Sequence, residues 1–175
     1  MPALLPILAL IILLMAGCNN ATDSAERMPP QPISGDDICH VCGMFITEFE
    51  GPKGQAFMQS HSDAHKFCST LEMFAFLQQP ENQAQLRHAY VHDVGVTPWE
   101  APKDDAFIPA ADAWYVVGHN RRGSMGHTLA PFSSHERAEQ FAAVHGGEII
   151  TYDDIDLELL ARLGRHEGSG HAAHS

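Results

Sequence analysis

Two stretches of this 175-residue chain carry the same order of local signals, and that recurrence restricts the possible folds more than any single segment does. In the first, residues 42–50 alternate as a strand, and Gly51-Pro52-Lys53-Gly54 turns the chain into residues 55–61, a hairpin partner. Phe67, Leu71, Phe74 and Ala75 then fall at helical spacing, with Ser62 or Asp63 as cap and Gln79-Pro80 as stop. Residues 86–94 alternate again as a third strand. In the second stretch residues 113–118 and 127–130 are strand-like, and Ser133-Ser134-His135-Glu136 signals a capped helix running through His145. Gly146-Gly147 ends that helix and residues 148–152 return as a strand. A last helix, capped by Asp153 or Asp154, places Ile155, Leu159, Leu160 and Leu163 on one stripe and stops at Gly164. The pattern predicts an α+β protein of two small ββαβ units, residues 38–98 and residues 99–164 with the terminal helix.

The flanks read differently. Residues 1–17 contain no charge and include the hydrocarbon run from Ile7 to Leu14, too short for the ~20 residues of a spanning helix but suited to an export signal. Leu14-Met15-Ala16-Gly17-Cys18 resembles the cleavage and lipidation box of bacterial lipoproteins, which implies removal of residues 1–17 and acylation of Cys18. Asn19 is not the Asp that retains enteric lipoproteins in the inner membrane, so an outer-membrane location is expected. Residues 18–37 are polar, carry Pro29, Pro30 and Pro32, and suit a flexible tether between lipid and domain. The tail, residues 165–175, carries His166, His171 and His174 among small residues, either as a weak collector of borderline metal ions or as a solvated end.

With 22 acidic against 10 basic side chains and a net charge of -12, the chain is ill suited to a phosphate backbone, so no nucleic-acid partner is expected. Twelve His, seven Met and four Cys instead supply many soft and borderline metal ligands. They concentrate their chemistry in Cys39-His40-Val41-Cys42-Gly43-Met44. If Cys42 opens a strand, Cys42 and Met44 project from one face, where a thiolate and a thioether can converge on a soft ion such as Cu(I). Cys39 or His40 can complete a three-coordinate site, and Met125 is the methionine of the second unit free of a core-like context. A Cys39–Cys42 disulfide or redox pair, and a zinc site recruiting His40, are the other readings of the same residues. Cys68, Met58 and Met73 read as core, and no Ser-His-Asp or paired-carboxylate pattern suggests catalysis.

The CxxCGM element of residues 39–44, followed by Asp112-Ala113-Trp114-Tyr115-Val116-Val117-Gly118, Gly123-Ser124-Met125-Gly126-His127-Thr128-Leu129-Ala130-Pro131-Phe132 and Gly146-Gly147, resembles the NosL family of nitrous-oxide reductase accessory lipoproteins. The resemblance implies a non-enzymatic, periplasm-facing Cu(I) chaperone for the copper-sulfide centre of nitrous-oxide reductase. It implies work with a membrane ABC-transporter complex and its periplasmic subunit, and a fold of two ββαβ units akin to organomercurial lyase. The family's ligand positions fall on Cys42 and Met44, with Cys39 at its motif position and Met125 in the later motif as ligand or docking residue.

Overall fold

The fold is α+β with two small antiparallel sheets, each built around its first strand in the same order, although residues 107–109, assigned from sequence to the second unit, join the first sheet. In the computed structural model, which describes residues 28–165, β1 (Gly54–Met58), β2 (His65–Phe67), β3 (Leu86–His92) and β4 (Phe107–Pro109) form one antiparallel sheet in the order β2-β1-β3-β4. β5 (Trp114–Val117), β6 (Ala130–Phe132) and β7 (Glu148–Ile150) form the other in the order β6-β5-β7. In each unit the first strand is central and its hairpin partner and third strand flank it; β4 extends the first sheet. The helices are α1 (Thr70–Leu77), α2 (Pro80–Gln83), α3 (His135–His145) and α4 (Leu157–Arg165).

One core joins the units. Met73, Phe74 and Leu77 of α1 are buried with Phe67 of β2, Tyr115 and Val117 of β5, and Leu159, Leu160 and Leu163 of α4. Phe74 meets Tyr115 edge to face at 5.4 Å between ring centroids, a geometry that the ring quadrupoles favour. Helix α1 lies so close to β1 that a Cβ on Gly54 would sit 2.5 Å from Met73 Sδ, which is why glycine opens that strand. The units are also bonded polar to polar. Thr70 Oγ1 lies 2.8 Å from Thr128 Oγ1 and donates to the Leu129 carbonyl, while the Leu129 N–H donates back to Thr70 Oγ1.

Several boundaries differ from the sequence pattern, each for a local reason. Residues 42–50 are not a strand. The Gly43 N–H donates to the Cys39 carbonyl (2.9 Å) and the Cys39 N–H to the Met44 carbonyl (2.8 Å), closing a tight loop whose positive φ of 72° falls on Gly43. A single 3₁₀ turn, Ile46–Glu48, follows, and the apparent alternation arises because Ile46 dips into the core. The predicted second strand is thus the first, and residues 65–67, predicted as helix, are β2. Helix α1 starts at Thr70, where the Ser69 hydroxyl accepts the Glu72 N–H (3.2 Å); Ser62 and Asp63 do not cap it. At α3, Ser134 occupies the cap position without a side-chain bond, and Ser133 donates to Asp93 instead of closing a capping box. Asp156, not Asp153 or Asp154, accepts the Leu159 N–H near the start of α4 (2.7 Å).

Residues 28–37, expected from composition to be part of the tether, are bonded to the domain. The Gln31 N–H donates to Gln55 Oε1 (2.8 Å), the Ala64 N–H to Gln31 Oε1 (3.2 Å), the Ile33 N–H to Asp104 (3.1 Å), and the Tyr90 hydroxyl to the Met28 carbonyl (2.6 Å). Lys66 reaches both the Pro32 carbonyl and Asp37 at 2.7 Å. A polar segment acquires fixed structure here because buried Gln55 needs partners for both ends of its amide. The export signal, Cys18 and the three tail histidines lie outside the described residues.

Candidate metal centre

The loop of residues 38–45 folds back on itself at an Ile38–Phe45 bridge and lowers Cys39 and Cys42 toward the start of α1. Cys39 is buried, and Cys42 is half-buried at the surface end of the group. Cys68 follows β2 directly, and Glu72 stands four residues on, in the first turn of α1, so both face the loop from below. One ligand atom from each of Cys39, Cys42, Cys68 and Glu72 lies within 4.8 Å of all the others. Cys68 donates to Glu72 Oε2 at 2.5 Å, Cys39 Sγ stands 3.4 Å from the same oxygen, and Cys42 Sγ lies 3.5 Å from Cys68 Sγ. From the second unit, the Ser124 hydroxyl reaches Cys68 Sγ at 3.1 Å. The three cysteines among the described residues are free thiols.

Their protons are unevenly held. The Cys39 thiol is pushed down to about 4, chiefly because hydrogen bonding with Cys68 favours its thiolate, and backbone N–H groups of the loop add to this against burial. The same hydrogen bond, with burial and the Glu72 carboxylate, drives Cys68 upward. Burial raises Cys42, and burial raises Glu72, with the charge of Cys39 adding to it. The group therefore presents a thiol held low beside two thiols, Cys42 and Cys68, that give up protons when a cation arrives, so binding is coupled to proton release. Three sulfurs and a carboxylate, part-buried and convergent, form a donor set for a thiophilic ion.

Of the residues singled out from sequence, Cys39 and Cys42 enter this cluster. The strand that was to aim Cys42 and Met44 from one face does not exist, since Gly43 turns the chain between them; Met44 is half-buried on the same loop. His40 is exposed and turns away to stack on His65, with ring centroids 3.9 Å apart, and against the edges of Phe67 and Phe76. Met125 is 47% exposed, on the Gly123–Gly126 turn next to Ser124. Cys68, read as core, is fully buried and also a member of the cluster. Glu72 was missed. Ser69-Thr70-Leu71-Glu72 is a capping-box sequence that would have placed a helix start one residue after Cys68 and set Cys68 and Glu72 on one side of its first turn.

The mouth of the cluster opens on a cleft of about 690 Å³ lined by Asp36, His40, Cys42, Asp63 and His65 among others. Ile38, Val41 and Phe45 on the loop are exposed at 58%, 51% and 46%, so the rim of the group is apolar.

Comparison with known proteins gives a consistent result. The family model described as NosL matches residues 30–160. The copper-binding lipoprotein NosL of Stutzerimonas stutzeri is 39% identical over 167 residues, which cover 92% of this chain and 87% of that protein. The copper-binding lipoprotein NosL of Achromobacter cycloclastes is 34% identical over 152 residues, 85% of this chain and 78% of that protein. The crystal structure of the copper chaperone NosL from Shewanella denitrificans superposes with a TM-score of 0.73 at 41% identity, covering 75% of this chain and 99% of that one.

Proposed function

The chain belongs to the NosL family, and from that premise we propose that it is a lipid-anchored, periplasm-facing metallochaperone that carries Cu(I) for maturation of the copper-sulfide centre of nitrous-oxide reductase. The observation that supports this most is the convergence of Cys39, Cys42, Cys68 and Glu72 within 4.8 Å at the edge of the fold. Cu(I) prefers polarisable donors and accepts few of them, so part of this set suffices to hold it and the rest is free to exchange. Cys39, whose thiol is pushed down chiefly by hydrogen bonding with Cys68, captures the ion. Cys42, nearest the surface, is the donor that an incoming ligand replaces. Met44, on the loop of Cys39 and Cys42, and Met125, next to the Ser124 that reaches Cys68, offer thioethers that assist entry or docking without adding charge.

Delivery on this scheme is ligand exchange. A recipient sulfur or imidazole approaches Cys42, shares the ion in a mixed intermediate, and takes it as Cys42 and then Cys39 let go. No free ion is released, and no covalent bond of the recipient is made or broken. The exposed apolar side chains of Ile38, Val41 and Phe45 give the recipient a surface to cover while water is excluded from the transfer. The recipients we infer are the maturation ABC-transporter complex with its periplasmic subunit, and through it nitrous-oxide reductase. With Cys18 acylated and Asn19, not Asp, after it, the location we infer is the outer membrane.

An anaerobic competition titration of the reduced protein against a chromophoric Cu(I) chelator tests the reading. Cys42→Ser is expected to lower Cu(I) affinity by orders of magnitude while leaving the circular dichroism spectrum unchanged. An affinity equal to wild type in that variant would remove the proposal.

A further inference from the structure

A cluster of three cysteines and a carboxylate raises a problem of selectivity, because four convergent, ionisable donors are also what Zn(II) takes in tetrahedral sites. The fold holds an answer one residue upstream of β1. Lys53 is only 4% exposed, and its amine is fastened inside the protein by the carbonyls of Phe49 (2.6 Å) and Glu50 (3.0 Å). Its backbone is pinned on the other side by His92, which accepts the Lys53 N–H on Nδ1 at 3.1 Å and donates its own N–H to the Lys53 carbonyl at 3.2 Å. Gly54, the next residue, pairs with Phe67, the residue before Cys68, so the ladder register sets Lys53 alongside Cys68.

We propose that the buried ammonium of Lys53 is the specificity-determining charge of this cluster, favouring a monovalent cargo ion over a divalent one. The inference rests on the reading of the cluster as the copper site. A fixed cation beside a binding site repels an arriving ion in proportion to the net positive charge that ion adds, so the penalty on a divalent ion exceeds that on Cu(I). Because Lys53 is shielded from solvent, counterions do little to screen the effect. The protein itself carries signs of both halves of the interaction. Burial lowers the Lys53 amine to about 8 while the acidic groups of the cluster, Cys68, Glu72 and Cys39, act to raise it. On its opposite side Lys53 adds to the burial that holds His92 neutral, down to about 3, which is repulsion of a second cation next door. Hydrogen bonds from Cys68 and the loop keep Cys39 ready for a soft ion, and the buried cation leaves the site underfilled in charge for a hard one.

The test is a pair of competition titrations on the reduced wild-type protein and on Lys53→Gln, with Cu(I) and with Zn(II), and with proton release measured alongside so that the net charge added by each ion is known. Lys53→Gln keeps a hydrogen-bond donor for the Phe49 and Glu50 carbonyls but loses the charge. One unit of net charge at about 8 Å and an effective dielectric constant of about 20 corresponds to a change of more than tenfold. The ratio of Zn(II) to Cu(I) affinity is therefore expected to rise at least about tenfold in the variant. Should Lys53→Gln fail to fold, Lys53→Met, neutral and of similar length, carries the same expectation. An unchanged ratio in a folded neutral variant overturns the proposal, since a merely structural lysine would weaken both ions alike. Failure of the wild-type protein to bind Cu(I) would instead overturn the reading of the site on which this inference stands.

Discussion

Replacing Glu72 by Gln separates the four-donor cluster from a simpler site made by the residue 39–44 loop alone. Glu72 is 8% exposed, and its Oε2 stands 2.5 Å from Cys68 Sγ and 3.4 Å from Cys39 Sγ, so an ion among the three sulfurs sits within a few ångströms of the carboxylate. At about 4 Å and an effective dielectric constant of about 20, a unit charge pair is worth about 4 kcal/mol. Part of that is offset by burial, which raises the Glu72 carboxyl by disfavouring its charged form. Cu(I) affinity is therefore expected to fall about 100-fold in Glu72→Gln, equivalent to about 3 kcal/mol. The same change relieves a buried acid of its desolvation cost, so the metal-free variant should unfold in urea at a midpoint equal to or above wild type. Anaerobic chelator competition at constant pH gives the first quantity and tryptophan fluorescence the second. An affinity loss smaller than about threefold, in a variant of undiminished stability, would show that the carboxylate does not face the ion and would reduce the site to its sulfurs.

Two further outcomes are expected from the packing. His92 and His119 are buried and neutral, held down to about 3 and about 4 chiefly by desolvation, whereas the unfolded chain titrates near 6.5. The stability they allow is complete above that unfolded value and is lost as pH falls toward the folded ones, by about 1.4 kcal/mol per pH unit for each histidine. Urea denaturation at pH 6, 5 and 4.5 should give that combined slope and His119→Phe about half of it; a flat profile would refute the assignment of buried neutral rings. Gly54→Ala forces a Cβ to within 2.5 Å of Met73 Sδ and should lower stability by about 1–3 kcal/mol in a thermal or chemical melt. An unchanged midpoint there would mean that β1 and α1 do not meet as closely as described.

The second unit was readable from sequence because its elements are punctuated. Gly146-Gly147 stops α3 at His145, and the apolar run of residues 113–118 is that of a central strand buried on both faces, Tyr115 to Val117. The first unit misled because alternation is ambiguous in a loop that touches the core once. Ile46 is fully buried while Phe45 is 46% exposed, which reproduces the look of a strand face without a ladder to carry it. The apolar spacing of Phe67, Leu71 and Phe74 runs continuously across a junction between β2 and α1, so periodicity alone placed the helix start too early. What distinguished the true start was the cap chemistry at Ser69, a local signal that outweighs periodicity where the two conflict.

The same junction explains why half of the candidate metal centre escaped notice. Cys39 and Cys42 announce themselves by their spacing, but Cys68 is 26 residues beyond Cys42 and sits among apolar residues that argue for burial. Burial and ligation are not alternatives here, because the helix start that buries Cys68 is also what orients it. Ser69 takes the Glu72 N–H, which fixes the first turn of α1 and frees the Glu72 side chain from its usual capping role to reach the sulfurs instead. Gly54 lets β1 lie against Met73 of α1 and pairs with Phe67, and Lys53 just before it has its amine caught by the carbonyls of Phe49 and Glu50. Ser124 closes the group from the second unit, on a turn that Gly126 permits with a φ of 91°. The centre is thus a property of how a loop, a strand end and a helix start meet, and each of those three contacts depends on a residue that binds nothing itself.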